Sequence, residues 1–229
     1  TPYGTVTNFI VTVIQMPLTH IGTTLIGTMF ITLLNSILWF FGIHGTAVID
    51  SFMGPLWYAA RFANLEVFHQ AADAARQFIV TQDFANHIIF LGGTGNTLSL
   101  AIIMAFKCRS KRIRSLGRLS FLPGLFNVNE PVIFGLPLVL NPMMAIPFFL
   151  VPAVSVLISF CAMYFGLVPY PTGITVPWTM PAPFGGWMMC GDIRGGILQL
   201  IILIVGGMIY YPFITALDRH YLQEENREG

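Results

Sequence analysis

FNVNEPVIFGLPLVLNP, Phe126 to Pro142, decides how this chain folds. It holds Glu130, the only charged residue between Arg118 and Asp192, set among Asn, Pro and Gly, with a membrane-scale apolar segment directly after it. In a bilayer, irregular backbone persists only where protein or a water-filled cavity surrounds it, and an intramembrane carboxylate is costly enough to mark a functional site by default. Everything outward of this stretch has to explain why the carboxylate is tolerated.

Composition places the chain in a membrane. Hydrophobic residues make up 55% and charged residues 9%, against about 25% charged in soluble domains, and mean hydropathy is +0.73. The fold class predicted is an all-α polytopic membrane protein, with transmembrane helices, re-entrant hairpins and an interfacial amphipathic helix, organised as one membrane domain over residues 1–229. No Asp, Glu, Lys or Arg occurs before Asp50, so the start reads as a chain already inside the bilayer and as the C-terminal portion of a longer polypeptide. Nothing near it resembles a secretory signal. A net charge of +1 gives no reason to expect nucleic acid. Cys108, Cys161 and Cys190 lack metal-ligand or CxxC spacing, and no metal or organic cofactor is expected.

Taken in order, Thr1 to Met16 is apolar and broken by Pro17, and Ile21 to Phe41 is long enough for a first span, about 20 residues being needed. Trp39, Phe40 and Phe41 near its end read as an aromatic belt. GIHG, Gly42 to Gly45, stops that helix with His44 at its exit. Two readings of His44 stay open, an interfacial residue at a helix C-terminus or a ligand contact that the flanking glycines let backbone approach. Thr46 to Phe84 mixes charges with aromatics and is predicted to form a short helical hairpin plus an amphipathic helix along the interface, with Arg61 and Glu66 in solvated or interfacial pairs. Ala85 to Phe106 reads as a span marked by GGTGNT, Gly92 to Thr97. That motif lacks the Gly-Lys-Ser/Thr ending of a phosphate loop. It is either a close helix crossing or a broken helix turning Thr94, Asn96 and Thr97 to a polar ligand.

Lys107 to Arg118 carries six Lys or Arg and no acid, so the positive-inside rule puts this loop in the cytoplasm. Leu119 to Leu140 is interrupted by Asn, Glu and prolines and reads as a re-entrant hairpin. Met143 to Val168 crosses, Pro169 to Gly191 is a second broken element, and Ile197 to Leu217 crosses back to a cytoplasmic tail. Two broken elements flanked by whole helices are how many transporters build a site near the midplane.

Glu130 in such a place could serve as a proton or ion site, as an acceptor for a polyhydroxyl ligand, or as a base. Asn127 and Asn129 add amides on the same turn, although Asn127 alone could be capping a half-helix. Trp178, in VPWTMP, offers an aromatic face, or else an interfacial anchor. On burial cost and broken helices alone the reading is a transporter. An ion-coupled carrier using Glu130 and a non-transporting membrane assembly subunit stand as alternatives.

The NEP stretch also resembles the signature of enzyme IIC, the permease component of the bacterial phosphotransferase system, in its lactose, cellobiose and diacetylchitobiose branch. LWFFGIHG, GGTG, the basic loop before LSFLPGLFN, VPWT and YYPF follow the order in which that family has them, so the resemblance covers nearly the whole chain. It implies a multi-pass protein of the bacterial cell membrane that takes a β-linked disaccharide from outside and presents it for phosphorylation. The phosphate would come from a phosphocysteine on a separate IIB protein supplied by IIA. Carried over by position, Glu130 and His44 stand at the hydroxyl that receives phosphate. Trp178 matches the aromatic that packs on the sugar, and Asn127, Asn129, Gly92, Gly93, Thr94 and Asn96 join it as substrate-binding candidates from the reading of the residues themselves. The chain then corresponds to the C-terminal, substrate-binding half, and a homodimer would form through an N-terminal half that this sequence does not contain.

Overall fold

The computed structural model describes residues 22–70, 76–136, 138 and 140–228, and no strand occurs among them. The apolar run before Pro17 and the first residue of the Ile21–Phe41 span lie outside the described residues. Within them α1 runs Leu25–Phe40, capped by Thr24, whose hydroxyl accepts the Gly27 N–H at 3.3 Å. Thr28, Thr32 and Ser36 each return a hydroxyl hydrogen to the carbonyl four residues back. Their polarity is thus satisfied within the helix, and the small stripe packs close against α2 (Gly45–Gln70) and α7 (Pro142–Tyr164).

α2 corrects the sequence reading of Thr46 to Phe84. All 26 of its residues form one continuous helix through Pro55, not a hairpin. Arg61 is buried, and instead of meeting an acid its guanidinium lies 4.9 Å from the centres of both the Tyr58 and Phe62 rings, a cation–π arrangement that suits a desolvated Arg. Asn64 fastens the far half of α2. Its amide donates to the Phe78 and Pro171 carbonyls at 2.7 and 3.0 Å and accepts from the Gln77 and Phe78 N–H groups, so all four of its hydrogen-bonding valences are used.

The Ala85–Phe106 span is broken. A short α3 (Gln82–Phe84) leads into a π-helical turn, Ala85–Ile89, then a 3₁₀ turn, Thr94–Asn96, then α4 (Leu98–Phe106), with a 48° bend across the break. The helix is broken at GGTGNT as one of the two readings had it, because Gly92, Gly93 and Gly95 sit at φ +69°, +87° and +80°, outside the right-handed helical region, but Thr97 is buried, with its hydroxyl donating to the Gly92 carbonyl and accepting from Asn129, and does not face a ligand. The basic stretch is also not all loop. From Lys111 it is helical, α5 (Lys111–Leu125), and Gly117 lies so close to the Met104–Ala105 backbone of α4 that a side chain there would overlap it. α5 turns at Phe126–Asn129 into α6 (Glu130–Gly135), giving the two arms expected around the NEP motif.

α7 carries Pro147 and Pro152 without breaking. The second broken element has no regular secondary structure over residues 169–177 and ends in α8 (Phe184–Cys190). α9 (Ile193–Glu228) is far longer than the span Ile197–Leu217 anticipated. The tail stays helical because its acids find partners. Asp218 accepts the backbone N–H groups of Arg109 and Ser110, and Glu225 accepts the Ser110 hydroxyl and the Lys111 and Arg112 N–H groups, which would otherwise be unsatisfied at the α5 N-terminus. Among the described residues α7 and α9 are long and apolar enough to cross a bilayer, and the bent pair makes a third.

Asp192 does the same service at the start of α9, accepting the Arg194 N–H at 2.8 Å and pairing with its guanidinium at 2.9 Å. The Arg194 side chain, then its N–H, hold the Asp192 carboxyl below its ordinary 3.8. A carboxylate with a lowered folded-state pKa contributes stability above its ordinary value and loses it as pH falls through the folded one. Amide exchange over Arg194–Gly196, corrected for its intrinsic pH dependence, should therefore quicken between pH 6 and pH 3, and Asp192→Asn should abolish that change. Equal protection at both pH values in the unmodified protein would contradict it.

Candidate substrate cavity

The two loops flanked by glycine meet the NEP turn. Thr46, the second residue of α2, accepts the Trp39 indole N–H at 3.2 Å and lies 2.9 Å from the Thr94 hydroxyl, joining GIHG to GGTG. Asn129 donates both amide hydrogens across the same gap, to the Thr94 carbonyl at 2.7 Å and the Thr97 hydroxyl at 2.8 Å. Asn127, at φ +64°, accepts the Gly92 N–H at 2.6 Å and donates to the Trp178 carbonyl. Its left-handed backbone closes the C-terminus of α5, with its own N–H on the Gly124 carbonyl and the Val128 N–H on the Pro123 carbonyl, both at 3.1 Å, while its side chain pins the second broken element to the first. Gly93 has to be glycine, since a Cβ there would occupy the space of the Asn129 side chain.

These bonds frame a cavity of about 350 Å³, within the usual range of roughly 300–1,000 Å³ for small-molecule sites. Glu130 reaches it from the first turn of α6, exposed, with no hydrogen bond or ion pair to any described residue. His44 reaches it from the other side. Its Nδ1 accepts the Ala47 N–H at 3.2 Å and its ring packs on Trp39 at 4.3 Å, which leaves Nε2 for a ligand. Gly93, Thr94, Asn127, Asn129 and Trp178 also line the cavity, Trp178 more than half exposed. Because both Asn129 amide hydrogens are used inside the protein, Asn129 can offer a ligand only its oxygen.

Two residues expected at the site stand behind it. Gly92 spends its N–H on Asn127, and Asn96, buried, turns its amide to the Ile88 carbonyl and the Ser155 hydroxyl. Neither lines the cavity. The structure adds wall residues that sequence reasoning missed, Trp39, Thr46, Asp50, Tyr58, Gln82 and Asn86. Gln82 donates to Asp50 at 3.2 Å and to Asn86 at 3.3 Å. The lining thus holds two carboxylates, amide and hydroxyl groups and two Trp rings, a set suited to a neutral polyhydroxyl ligand with an apolar ring face.

Apolar helices broken around a polar, aromatic-walled cavity form the framework of a membrane carrier. Residues 1–152 match the family model described as "Phosphotransferase system, EIIC". The cellobiose-specific EIIC component of Geobacillus stearothermophilus is 41% identical over 229 residues, covering 100% of this chain and 51% of that one. The lichenan permease IIC component of Bacillus subtilis (strain 168) is 38% identical over 227 residues, covering 99% and 50%. The crystal structure of ChbC, the IIC component of an N,N'-diacetylchitobiose-specific phosphotransferase system, superposes with a TM-score of 0.94 at 38% identity, over 99% of this chain and 52% of that one. The chain belongs to the EIIC family of the phosphotransferase system, and it spans about half the length of these relatives.

Proposed function

We propose that this chain is the sugar-binding half of a phosphotransferase-system permease that carries a β-linked disaccharide inward and presents it for phosphorylation by the phosphocysteine of a IIB protein. The observation that carries the reading is one cavity lined by both Glu130 and His44, together with Trp39 and Trp178. Relatives named for cellobiose, lichenan and diacetylchitobiose support the substrate class. Lactose-specific relatives are EIICB components, which supports a IIB partner at the cytoplasmic face, supplied in turn by IIA. The basic segment 107–118 and the C-terminus then lie in the cytoplasm, residues 1–229 form one membrane domain, and a homodimer assembles through the N-terminal half.

Phosphoryl transfer needs in-line positioning and charge stabilisation more than covalent help. Glu130 accepts the hydrogen of the attacking hydroxyl and takes its proton, while His44 Nε2 holds a neighbouring oxygen. The aromatic rings take the apolar sugar faces, and the Asn129 and Asp50 oxygens accept from hydroxyls further along the disaccharide. His44→Ala should weaken sugar binding about tenfold, the loss of roughly 1.4 kcal/mol from one hydrogen bond in a desolvated site. Titration of the complete permease with cellobiose, lactose and diacetylchitobiose measures this, and an unchanged dissociation constant removes His44 from the site. Transport that survives loss of phosphoenolpyruvate but collapses with the proton gradient would replace the whole reading with an ion-coupled carrier.

A further inference from the structure

A second cavity, of about 280 Å³, lies where the segment after α4 meets α9. Lys107 and Arg109 line it from one side and Tyr211, Thr215, Asp218 and Arg219 from the other. Three cations therefore share the space with one carboxylate, and that carboxylate is already engaged by the backbone N–H groups of Arg109 and Ser110 at 2.9–3.1 Å. None of the three cationic side chains forms an ion pair or hydrogen bond with any described residue. Cys108, buried in the same wall, adds no negative charge, because burial and then the neighbouring Asp218 push its thiol up to about 12. Lys107, Arg109 and Arg219 are exposed, so water screens their mutual repulsion, but an anion entering the cavity meets three cations against one carboxylate that is already hydrogen-bonded.

The α9 face leading into the cavity narrows the choice of anion. Ile204, Met208, Tyr211, Thr215 and Arg219 follow at spacings of three or four, which sets them along one side of the helix. The first three are exposed, at 58%, 69% and 52%. Along this strip the surface changes from apolar, through a phenol and a hydroxyl, to cationic. Exposed apolar residues on a membrane helix are ordinary, but a strip that ends in a cavity ringed by unpaired cations has the same order of groups as a glycerophospholipid, with acyl chains, then ester oxygens, then phosphate. Basic pockets between membrane helices are known to take anionic headgroups.

We propose that this cavity is a binding site for a phosphate-bearing group, supplied by an anionic phospholipid whose acyl chains lie along the Ile204–Tyr211 strip. Lys107, Arg109 and Arg219 neutralise the phosphate, Thr215 donates to one of its oxygens, and Tyr211 stands at the level of the ester groups, as tyrosines do at membrane interfaces. The site is separate from the sugar cavity and shares no lining residue with it.

The test uses the complete permease, delipidated in neutral detergent, with native mass spectrometry as the readout. The probes are dioleoylphosphatidylglycerol, dioleoylphosphatidylcholine and sn-glycerol 3-phosphate. Phosphatidylglycerol should be retained in preference to phosphatidylcholine, and Arg219→Gln should weaken its retention about fivefold, as expected for one basic residue at an anionic headgroup. Lys107→Ala, Arg109→Ala and Arg219→Ala combined should reduce it by roughly a hundredfold on the same scale. Melting of each variant without lipid is measured alongside, and Arg219→Gln, conservative in size, serves as the reading if the triple variant does not fold. Equal retention of the two lipids, or retention unaffected by Arg219→Gln, overturns the site. If sn-glycerol 3-phosphate binds as tightly as phosphatidylglycerol, with the same dependence on Arg219, the lipid source is overturned in favour of a soluble phosphate ester.

Discussion

Glu130→Gln should leave the protein folded in the membrane and abolish phosphoryl transfer from phosphorylated IIB to bound sugar. Gln has the same size and keeps a hydrogen-bond acceptor, so the lining of the cavity is preserved. What it removes is the base and the charge. Glu130 is bound to no other described side chain, so the substitution breaks no internal contact that would confuse the result. A positioned general base is worth about 10²–10⁴-fold, equivalent to roughly 3–5 kcal/mol of barrier, and a larger loss follows if the carboxylate also aligns the hydroxyl. The measurement is transfer of labelled phosphate from IIB to sugar, with sugar affinity followed in parallel. Retained transfer would dismiss Glu130 as the acceptor-side base and leave it a polar wall residue.

The second large effect is structural. Gly93→Ala should remove sugar binding and lower the melting temperature, because two costs fall on one position. At φ +87° and ψ −179°, a region that essentially only glycine occupies, an L side chain is strained by about 1–3 kcal/mol. The new Cβ also displaces Asn129, whose hydrogen bonds to the Thr94 carbonyl and Thr97 hydroxyl are buried and cost about 1–3 kcal/mol each when a partner is left unsatisfied. Gly166 supplies the control. It closes the C-terminus of α7 at φ +73°, with open space where a Cβ would stand, so Gly166→Ala carries a positive-φ strain without any overlap. Comparable destabilisation by the two substitutions would show that backbone strain alone explains the first, and that the Asn129 clamp contributes nothing.

Much of the site was legible because its polar residues stand out against an apolar background. Glu130 is isolated by more than ten residues from any other charge, and His44 and Gly93 belong to short glycine motifs, so each drew notice before any geometry was known. The cavity also collects residues that composition hides. Asp50 looked like one of several charges in a segment whose mix of charged and aromatic residues argued for a hairpin and an interfacial helix. Once α2 is a single helix, Thr46, Asp50 and Tyr58 recur at intervals of four or eight and line one wall. That spacing was the available signal. Direction was the part sequence could not carry. Asn96 lies two residues from Thr94, yet its φ of +53° sends its amide into the core while Thr94 faces the cavity. Likewise Arg61, expected in a solvated or interfacial pair, is buried beside aromatic rings, because guanidinium can exchange an anion for π-faces.

The length of α9 has a mechanical meaning. Its 36 residues extend for about 54 Å, against a hydrocarbon thickness of about 30 Å, so the helix outreaches the membrane it crosses. Near its middle the Tyr210 hydroxyl donates to the Gly95 carbonyl at 2.7 Å, beneath the sugar cavity, and beyond it Asp218 and Glu225 grip the start of α5. Pro212 falls between these two attachments, where the helix lacks the bond to the Met208 carbonyl and bends most easily. One rod thus has a grip on each side of its own joint. Any displacement of the Gly95 carbonyl would therefore load α9 two residues before its weakest point, while the contacts of Asp218 and Glu225 hold the far arm in place.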